Sequence, residues 1–255
     1  MNPRITRWQG RRVWLIGASS GIGEATALAL HARGAQVQLS ARNTQALQAV
    51  ASRMNGQGQV WPLDVTDASA VQQVANAILA QGPLDLVLYC AGHYREMRAQ
   101  SLDLADLRRH LDINYSGALH LMHAVLPALI AQGHGHLSLI SSVAGFRGLP
   151  KGLAYGPTKA ALTHLAENLY MDLRPLGLGV SVVHPGFVQT PLTAQNRFEM
   201  PALIAPEQAA QAMLDGWARG AFDIHFPRRF TRWMKLLRLL PYRAYFPLVH
   251  RFTGL

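Results

Sequence analysis

Residues 13–23 decide the fold, and they read Val13-Trp14-Leu15-Ile16-Gly17-Ala18-Ser19-Ser20-Gly21-Ile22-Gly23. The apolar run at 13–16 predicts a buried strand, and the stretch from Glu24 to Arg33 predicts a helix. A glycine turn between a strand and a helix N-terminus presents backbone N–H groups and the positive end of the helix dipole, which together bind anions. Glycines there also let a pyrophosphate approach the backbone closely. The segment therefore predicts a nucleotide-binding turn, with a plain glycine turn as the alternative.

Short apolar runs recur along the chain and alternate with stretches of helical character. Further strands are predicted at 35–39, 60–63, 84–90, 136–141, 179–183 and 223–226. Helices are predicted to begin near Ile22, Asn43, Asp67, Asp103, Asn114, Leu153 and Pro206, of which Asp67 and Pro206 are typical helix-start residues. This alternation is typical of a parallel sheet covered by helices, and 255 residues suffice for one such domain.

A second pattern, Tyr155-Gly156-Pro157-Thr158-Lys159, carries residues suited to proton transfer, with Ser142 upstream. A tyrosine and a lysine four apart on a helix project from one face. A nearby ammonium lowers the pKa of a phenol, which is otherwise about 10, so that the phenol can exchange a proton near neutral pH. The serine hydroxyl can then hold a carbonyl or alcohol oxygen against the phenol.

Together, the glycine turn and the set of Ser142, Tyr155 and Lys159 resemble the short-chain dehydrogenase/reductase family, from residue 12 to about 190. The other matching segments are Leu63-Asp64-Val65 at the adenine, Cys90-Ala91-Gly92, Asn114, the pair Ser141-Ser142, and His184-Pro185-Gly186 with Thr190 at the nicotinamide. Ile16 and Cys90 depart from the family pattern, in which a threonine and an asparagine are usual. Both positions are structural in the family, so we expect altered local bonding there and intact chemistry.

The resemblance implies a Rossmann-like α/β fold, a doubly wound parallel sheet of about seven strands in the order 3-2-1-4-5-6-7 with helices on both faces. It implies that Tyr155 exchanges the proton of the substrate oxygen and that Lys159 lowers the tyrosine pKa and bonds the nicotinamide ribose. Ser142 would orient the oxygen, and Asn114 would hold a water for proton resupply. Residues expected at the cofactor are Gly17, Ser19, Ser20, Gly21, Ile22, Gly23, Arg42, Asp64, Val65, Ala91, Gly92, Tyr155, Lys159, Pro185, Gly186, Val188 and Thr190.

The end of the second predicted strand bears on the choice of cofactor. Ala41 stands where NAD-using relatives carry an aspartate, and Arg42 follows it. A guanidinium can bind the 2′-phosphate of NADP(H), with Ser40 and Asn43 as helpers. We therefore predict a preference for NADPH, the alternative being that Arg42 is a solvated surface residue.

The substrate side is less defined by the sequence. His93 and Tyr94 follow the fourth strand and either line the substrate pocket or form a plain loop, and Phe187 is a third candidate contact. The predicted lid region, 191–220, is rich in apolar residues, which favours a lipophilic substrate, although a lid must pack whatever it covers. His134 and His136 have a spacing usable for a metal, but the sequence offers no third ligand, so no metal site is predicted.

The net charge of +10 lies at the termini. Four arginines precede the first acid, Glu24, and no acid follows Asp223, after which come Arg228, Arg229, Arg232, Lys235, Arg238, Arg243 and Arg251. The sequence contains no run of 18 or more apolar residues, so no transmembrane helix is predicted. The apolar run at 13–16 is too short for a signal peptide. A single cysteine, Cys90, suits a reducing compartment. These features predict a cytoplasmic protein.

Residues 227–255 form a predicted basic amphipathic extension. On a helix, Phe230, Trp233, Met234, Leu237 and Leu240 share one side and Arg228, Arg232, Lys235 and Arg238 the other, with Leu236 and Leu239 intruding. Pro241 and Pro247 are expected to break the pattern. Such a helix is typical of an anchor at the inner, anionic face of a membrane. The alternatives are packing on the body or a partner subunit, and recruitment of an acidic acyl carrier protein or the phosphates of coenzyme A. No nucleic-acid motif is visible.

The sequence thus predicts a single domain, 1–255, with a cofactor-binding and catalytic core at 1–190. The predicted function is an NADPH-preferring oxidoreductase that interconverts a carbonyl and a secondary alcohol of a lipophilic substrate. The alternatives are a 3-oxoacyl-thioester reductase and a nucleotide-sensing scaffold without turnover. The family resemblance also implies a homodimer or homotetramer.

Overall fold

The computed structural model describes residues 1–196 and 198–253. One parallel sheet contains the strands β1 (Arg12–Ile16), β2 (Gln36–Ala41), β3 (Gln59–Pro62), β4 (Leu86–Tyr89), β5 (His136–Ile140), β6 (Gly179–Pro185) and β7 (Asp223–Phe226). Their order is β3-β2-β1-β4-β5-β6-β7, which confirms the predicted topology. The register places Leu15 of β1 beside Leu39 of β2 and Leu88 of β4. The central strands are buried on both faces, which explains why they read as continuous apolar runs.

Helices connect successive strands and cover both faces of the sheet. Within the described residues these are α1 (Gly21–His31), α2 (Thr44–Ser52), α3 (Ala68–Leu79), α4 (Leu104–Leu111), α5 (Gly117–Gln132), α6 (Tyr155–Leu173), α7 (Pro206–Ala218), α8 (Arg228–Leu239) and α9 (Tyr242–Thr253). Asp67 caps α3 by accepting the Ala70 N–H at 3.0 Å, and Pro206 is the first residue of α7, as the sequence predicts. Helices α1, α2 and α7 pack on one face of the sheet, and α3, α5 and α6 pack on the other.

Helices α4 and α5 form one continuous helical run, Leu104–Gln132, with a π-helical turn at Asp112–Ser116 between them. Among the described residues, this run alone is long and apolar enough to cross a membrane by length and composition, with a mean hydropathy of 1.2. Half of the most apolar 18-residue stretch of this run is buried inside the molecule, where Leu121 and Val125 pack in the core. Packing against the sheet therefore explains the buried apolar residues of this run, whereas Leu104, Leu111, Leu119 and Ile130 are exposed.

The C-terminal extension consists of two helices. The predicted helix from Arg228 ends at Leu239, but the prediction that Pro247 breaks the pattern is wrong, because Pro247 lies inside α9. A proline lacks an N–H and omits the bond to the carbonyl four residues earlier, here that of Arg243. Pro247 and Arg243 are both exposed, so water can satisfy that carbonyl.

The N-terminal segment crosses the edge of the sheet at which the strands begin. The Asn2 side chain donates to the Val180 carbonyl at 2.6 Å and accepts the Val180 N–H at 3.0 Å. Arg11 pairs with Asp85 at 2.6 Å, and Arg12 donates to backbone carbonyls near the end of α3. Two of the four N-terminal arginines therefore bind the domain itself.

Candidate active site

A cavity of about 600 Å³ opens at the edge where the parallel strands end. In doubly wound sheets, this edge is where ligands bind. All but one of the residues expected at the cofactor line the cavity wall, together with Ser142 and the lid residues Pro191, Leu192 and Thr193. The exception is Gly23, which lies behind the turn, where a Cβ atom would come within 2.1 Å of the Gly17 oxygen.

The glycine turn is shaped by close backbone contacts. Gly17 has a φ of +89°, and a Cβ there would lie 2.5 Å from the Ala91 nitrogen. Gly21 has a φ of +56°, and its Cβ would lie 2.8 Å from Thr190 Cγ2. Both positions therefore require glycine. The turn opens onto the first residues of α1, so that free N–H groups and the helix dipole can hold a pyrophosphate.

Arg42 stands exposed on the cavity wall next to Ala41 and Asn43. Asn43 caps α2 by accepting the Ala46 N–H at 3.0 Å. Ser40 does not take the helper role expected for it, because its buried hydroxyl accepts the Trp14 indole N–H at 2.9 Å, and it lies outside the cavity. The basic group of this strand end is therefore Arg42.

Asp64 and Val65 line the wall beside Arg42. Burial acts to raise the pKa of Asp64, but hydrogen bonds from the Thr66 N–H and hydroxyl, together with the charges of Arg42 and Arg109, lower the pKa below its ordinary value. The Asp64 carboxylate accepts the Thr66 N–H at 3.0 Å and the Thr66 hydroxyl at 2.9 Å. The carboxylate is thus held in place by the turn that follows β3. The pyrophosphate turn, Arg42 and this wall together fit a nicotinamide dinucleotide.

Tyr155 is the first residue of α6, and Ser142 follows β5, so both side chains reach the cavity. Burial raises the pKa of Tyr155 above its ordinary value, and hydrogen bonding with Ser142 only partly opposes that rise. The Lys159 Nζ atom lies 5.5 Å from the centroid of the phenol ring, and the expectation that Lys159 lowers the pKa of Tyr155 stays a prediction. Tyr155 keeps its proton at neutral pH.

Lys159 lies one helical turn after Tyr155 and is buried. Its Nζ atom donates to the Ile140 carbonyl at 2.9 Å. Burial lowers the pKa of Lys159 to about 8. Ser141, which precedes Ser142, faces the helix instead of the cavity centre and donates to the Lys159 carbonyl at 2.7 Å. The structure thereby separates the two serines: Ser142 accompanies Tyr155, and Ser141 braces α6.

Asn114 lies in the π-helical turn and is fully buried. Its side-chain oxygen accepts the His93 N–H at 2.7 Å, and its amide nitrogen donates at 3.0 Å to both the His93 carbonyl and the Thr158 hydroxyl. Asn114 therefore joins the loop after β4 to α6. π-Helical turns are frequent at functional sites because they displace the local helix geometry.

The two departures from the family pattern are accommodated by packing. Ile16 is buried in the core on one face of the sheet, and the backbone N–H of Cys90 donates to the Ile16 carbonyl at 2.8 Å. The glycine turn is tied to β2 by the Gly17 N–H, which donates to the Ser40 carbonyl at 2.7 Å. Burial raises the pKa of the Cys90 thiol to about 11, so this thiol is inert at neutral pH.

The three candidate substrate contacts surround the site in different ways. The Tyr94 ring packs edge-on against Tyr155, with 5.0 Å between centroids, and Phe187 lies between Phe198 and Phe230. The His93 ring turns toward Asp106, with 2.8 Å between Nε2 and Oδ1. Among the described residues, the cavity wall includes none of these three candidates.

His93, Asp106 and His110 offer ligand atoms within 4.8 Å of one another. Both ring nitrogens of His110 already have backbone partners, since Nδ1 bonds the Asp106 carbonyl at 2.8 Å and Nε2 accepts the Arg95 N–H at 3.1 Å. The cluster is therefore a hydrogen-bonded anchor for the loop after β4.

A buried polar chain, which sequence reasoning missed, links α6 to α8. The Thr163 hydroxyl lies 2.9 Å from Ser141 Oγ and 3.0 Å from His184 Nε2, and His184 Nδ1 lies 2.9 Å from Asp223. Asp223 also pairs with Lys235 of α8. Burial acts to raise the pKa of Asp223, but hydrogen bonds from His184 and Lys235 lower it to about 2. These residues are distant in sequence, and no local signal marks them.

Arg147 is a second missed residue. Its Nη1 atom lies 2.5–3.4 Å from the carbonyl oxygens of Leu237, Arg238 and Leu240, at the end of α8. Its guanidinium also covers the rings of Tyr242 and Tyr245, 4.3 and 4.0 Å from their centroids. Arg147 therefore fastens both C-terminal helices to the loop that follows Ser142.

Proteins of known family share this architecture. A family model described as short chain dehydrogenase matches residues 11–200. A Myxococcus xanthus protein named an uncharacterized oxidoreductase is 38% identical over 235 residues, covering 91% of this chain and 93% of the relative. An uncharacterized oxidoreductase of Staphylococcus aureus is 34% identical over 204 residues, covering 78% of this chain and 87% of the relative.

Solved structures agree with the sequence relatives. A short-chain dehydrogenase from Sphingobium yanoikuyae in complex with NADPH has a TM-score of 0.80 at 25% identity, covering 89% of this chain and 92% of that one. A Burkholderia phymatum short-chain dehydrogenase/reductase in complex with NAD has a TM-score of 0.84 at 22% identity, covering 91% and 94%, and supports the fold alone. With the glycine turn, the strand order and the serine, tyrosine and lysine at one cavity, these matches show that the chain is an oxidoreductase of the short-chain dehydrogenase/reductase family.

Proposed function

We propose that the protein is an NADPH-preferring oxidoreductase that reduces the carbonyl of a lipophilic substrate to a secondary alcohol, and catalyses the reverse reaction. The observation that carries this proposal is a single cavity with Arg42 toward one end and Ser142, Tyr155 and Lys159 toward the other. A nicotinamide cofactor would lie along the glycine turn, Asp64, Val65 and the segment 185–190. When bound, it supplies or accepts the hydride.

The chain's own residues manage the proton. Tyr155 is protonated at neutral pH because burial raises its pKa, and this is the form that donates to a carbonyl oxygen. Ser142 hydrogen-bonds the same oxygen and stabilises the negative charge that develops on it. The Lys159 ammonium stabilises the phenolate left on Tyr155. The protonated phenol is the form required for reduction, and the reverse reaction requires the phenolate.

Proton resupply involves Asn114 in this proposal. Both hydrogens of its side-chain amide are already donated, to His93 and Thr158, and its side-chain oxygen accepts from His93. A water held at Asn114 that connects Lys159 to solvent would therefore need a group of this residue other than its side-chain amide hydrogens. The side chain positions the π-helical turn.

The preference for NADPH rests on Arg42 and on the absence of a carboxylate at Ala41. The NADPH complex of the Sphingobium yanoikuyae relative is compatible with this preference, and the NAD complex of the Burkholderia phymatum protein shows that the fold accepts either cofactor. A lipophilic substrate is supported by the aromatic group formed by Phe187, Phe198 and Phe230 beside the site.

A 3-oxoacyl-thioester substrate is the second candidate, because exposed arginines at the C-terminus could bind an acidic carrier. A nucleotide-sensing scaffold is the third, and the buried Ile16 and the partly buried Cys90, which packs against the core on the other face of the sheet, give it little support. We also propose that the protein assembles as a homodimer or homotetramer. Its proposed location is the cytoplasm, peripheral to a membrane.

The test is NADPH oxidation by the purified protein with free medium-chain aldehydes and ketones, and separately with 3-oxoacyl-coenzyme A. Tyr155→Phe should lower kcat about 10²- to 10⁴-fold, the range typical of a general acid, while calorimetry shows nearly unchanged NADPH binding. Tyr170→Phe is the matched control, since Tyr170 lies on the same helix and packs at a tilt against Phe222 outside the cavity. Near-native turnover by Tyr155→Phe would refute the mechanism, and NADPH binding without turnover of any carbonyl would favour the scaffold.

A further inference from the structure

Helices α8 and α9, called here the C-terminal hairpin (Arg228–Thr253), already pack on the domain with one side. Thr231 of α8 and Tyr245 and Val249 of α9 are buried. The Tyr245 hydroxyl donates to the Gly148 carbonyl at 2.6 Å, and Lys235 pairs with Asp223. The contacts that hold the hairpin in place are therefore made mainly by its inner side, and one face of the exposed Tyr242 ring is also covered by the Arg147 guanidinium.

The solvent side of the hairpin exposes large apolar side chains. The exposed fractions are 68% for Trp233, 56% for Leu236, 79% for Leu239, 66% for Tyr242 and 60% for Phe246. Of the 17 large apolar side chains that are exposed within the described residues, these five and Phe252 lie in the hairpin. Exposed apolar residues usually scatter singly, and a concentration of them marks an interaction surface.

Arginines share that surface. Positions 229, 232, 233 and 236 follow the spacing i, i+3, i+4, i+7, so Arg229 and Arg232 lie on the same side of α8 as Trp233 and Leu236, and all four are exposed. The predicted division of this helix, with Trp233 on the apolar side and Arg232 on the opposite one, is therefore wrong for these two residues, because both are exposed. These four residues, with Leu239, Tyr242 and Phe246, are called the outer face. Of the seven cations after Asp223, Lys235 alone pairs with a carboxylate in the part of the chain that the structure describes.

We propose that the outer face docks on an anionic lipid surface. Tryptophan and tyrosine are favoured at the boundary between lipid headgroups and acyl chains, where leucine and phenylalanine insert further. Arginines beside them bind the phosphates of anionic lipids, with attraction that salt screens. The mixed arrangement of arginine, aromatic and leucine side chains fits such a boundary.

A second copy of the chain fits the outer face poorly. A two-fold symmetric interface places the same patch of both copies together. Such a contact would bring the arginines of both copies into one interface, and no acid follows Asp223 to neutralise them there. An acidic protein would complement the arginines, but it would also have to present an apolar patch that covers the exposed aromatic and leucine side chains.

The outer face belongs to an element that also borders the active site. Phe230 of α8 packs on Phe187, with 5.7 Å between ring centroids, and a Cβ on Gly186 would lie 2.8 Å from the Phe230 ring. Docking would therefore bring the substrate side of the cavity near the lipid, from which a lipophilic carbonyl could enter. This last step rests on the proposed function, whereas docking itself does not.

The test is co-sedimentation of the full chain with vesicles of equal parts phosphatidylcholine and phosphatidylglycerol, and with phosphatidylcholine alone. We expect binding to the anionic vesicles at low salt that weakens as salt is added. Tryptophan emission should also shift to the blue, mainly from Trp233, because Trp8, Trp14 and Trp217 are buried and the half-buried Trp61 lies outside the outer face, with its indole N–H donated to Gln38. Trp233→Phe should remove most of that shift and retain most of the binding.

Two double variants locate the surface. Each should weaken binding to anionic vesicles about tenfold or more. The first combines Trp233→Ser with Leu239→Ser, and the second combines Arg229→Gln with Arg232→Gln. The matched controls are Leu176→Ser and Arg4→Gln with Arg7→Gln, which are exposed and lie toward the opposite, strand-start edge of the sheet. The controls should bind within about twofold of the unmodified chain.

Absence of binding to anionic vesicles at low salt would overturn the proposal, as would equal losses in the control variants. A smaller assembly of the Trp233→Ser, Leu239→Ser variant by light scattering would instead make this face an interface between copies. Reduction of a water-soluble carbonyl without vesicles should be the same in all variants, so failure of lipid binding leaves the proposed reaction untouched.

Discussion

Arg42 offers the sharpest test of cofactor choice, because it is exposed and its loss should leave the fold intact. The guanidinium lies on the cavity wall after Ala41, and the carboxylate of Asp64 is already held by Thr66. Replacing Arg42 by glutamine removes one positive charge without removing a core contact. The thermal midpoint should therefore change little.

The expected magnitude follows from Coulomb's law. A 2′-phosphate carries a charge of about −1.5 to −2 at neutral pH, like other phosphate monoesters. A guanidinium about 4 Å away in solvent-exposed surroundings contributes about 1 kcal/mol per unit of charge. Arg42→Gln should thus weaken NADPH binding by about 1.5–2 kcal/mol, which is about ten- to thirtyfold. NADH, which lacks that phosphate, should bind almost unchanged.

The assay is calorimetric titration of the unmodified chain and the Arg42→Gln variant with NADPH and with NADH, at low and at moderate salt. The loss for NADPH should shrink as salt is raised, since exposed charges are screened. Ala41→Asp should act in the reverse sense, repelling the 2′-phosphate and accepting hydrogen bonds from the ribose of NADH. Equal losses for the two cofactors, or an unchanged ratio, would refute the assignment of Arg42 to the 2′-phosphate.

Three further predictions concern the cavity and the C-terminal hairpin. Burial lowers the pKa of Lys159 to about 8, so its charged form is present below that pH and lost above it. The value of kcat/KM for reduction should therefore fall as the pH rises through about 8. A flat profile across that range would contradict the role of the Lys159 ammonium in stabilising the phenolate. Gly17→Ala should abolish cofactor binding or folding, because the added methyl would lie 2.5 Å from the Ala91 nitrogen at a φ of +89°, whereas Gly148→Ala, with open space around it, should be tolerated in thermal unfolding. Arg147→Gln should increase hydrogen exchange of residues 228–253 by loosening the hairpin, at a cost of about 1–3 kcal/mol, and unchanged protection there would show that the bonds of Arg147 contribute nothing.

The fold could be predicted from the sequence because the patterns that indicate strands, helices and turns are local and recur along the chain. Each of the seven strands lies within two residues of its predicted bounds, since buried parallel strands read as short apolar runs between helical stretches. The glycine turn and the spacing of Tyr155 and Lys159 were equally legible, because each depends on neighbours within one turn of chain. Pro247 was misjudged, since solvent satisfies the carbonyl that a proline leaves unpaired.

The tertiary structure alone decided what depends on burial and on partners distant in the sequence. In the folded chain, Ser141 donates to the backbone of α6 and Ser142 lies toward the cavity. Burial raises the pKa of Tyr155, because the loss of water around the phenol outweighs the effect of a lysine whose ammonium lies 5.5 Å from the ring. The tertiary structure also tied Ser40 to Trp14 and Arg147 to the end of α8. A helical pattern shows which residues share a side, but only packing decides which side faces the core, and this is why Trp233 and Leu239 ended in solvent beside the arginines.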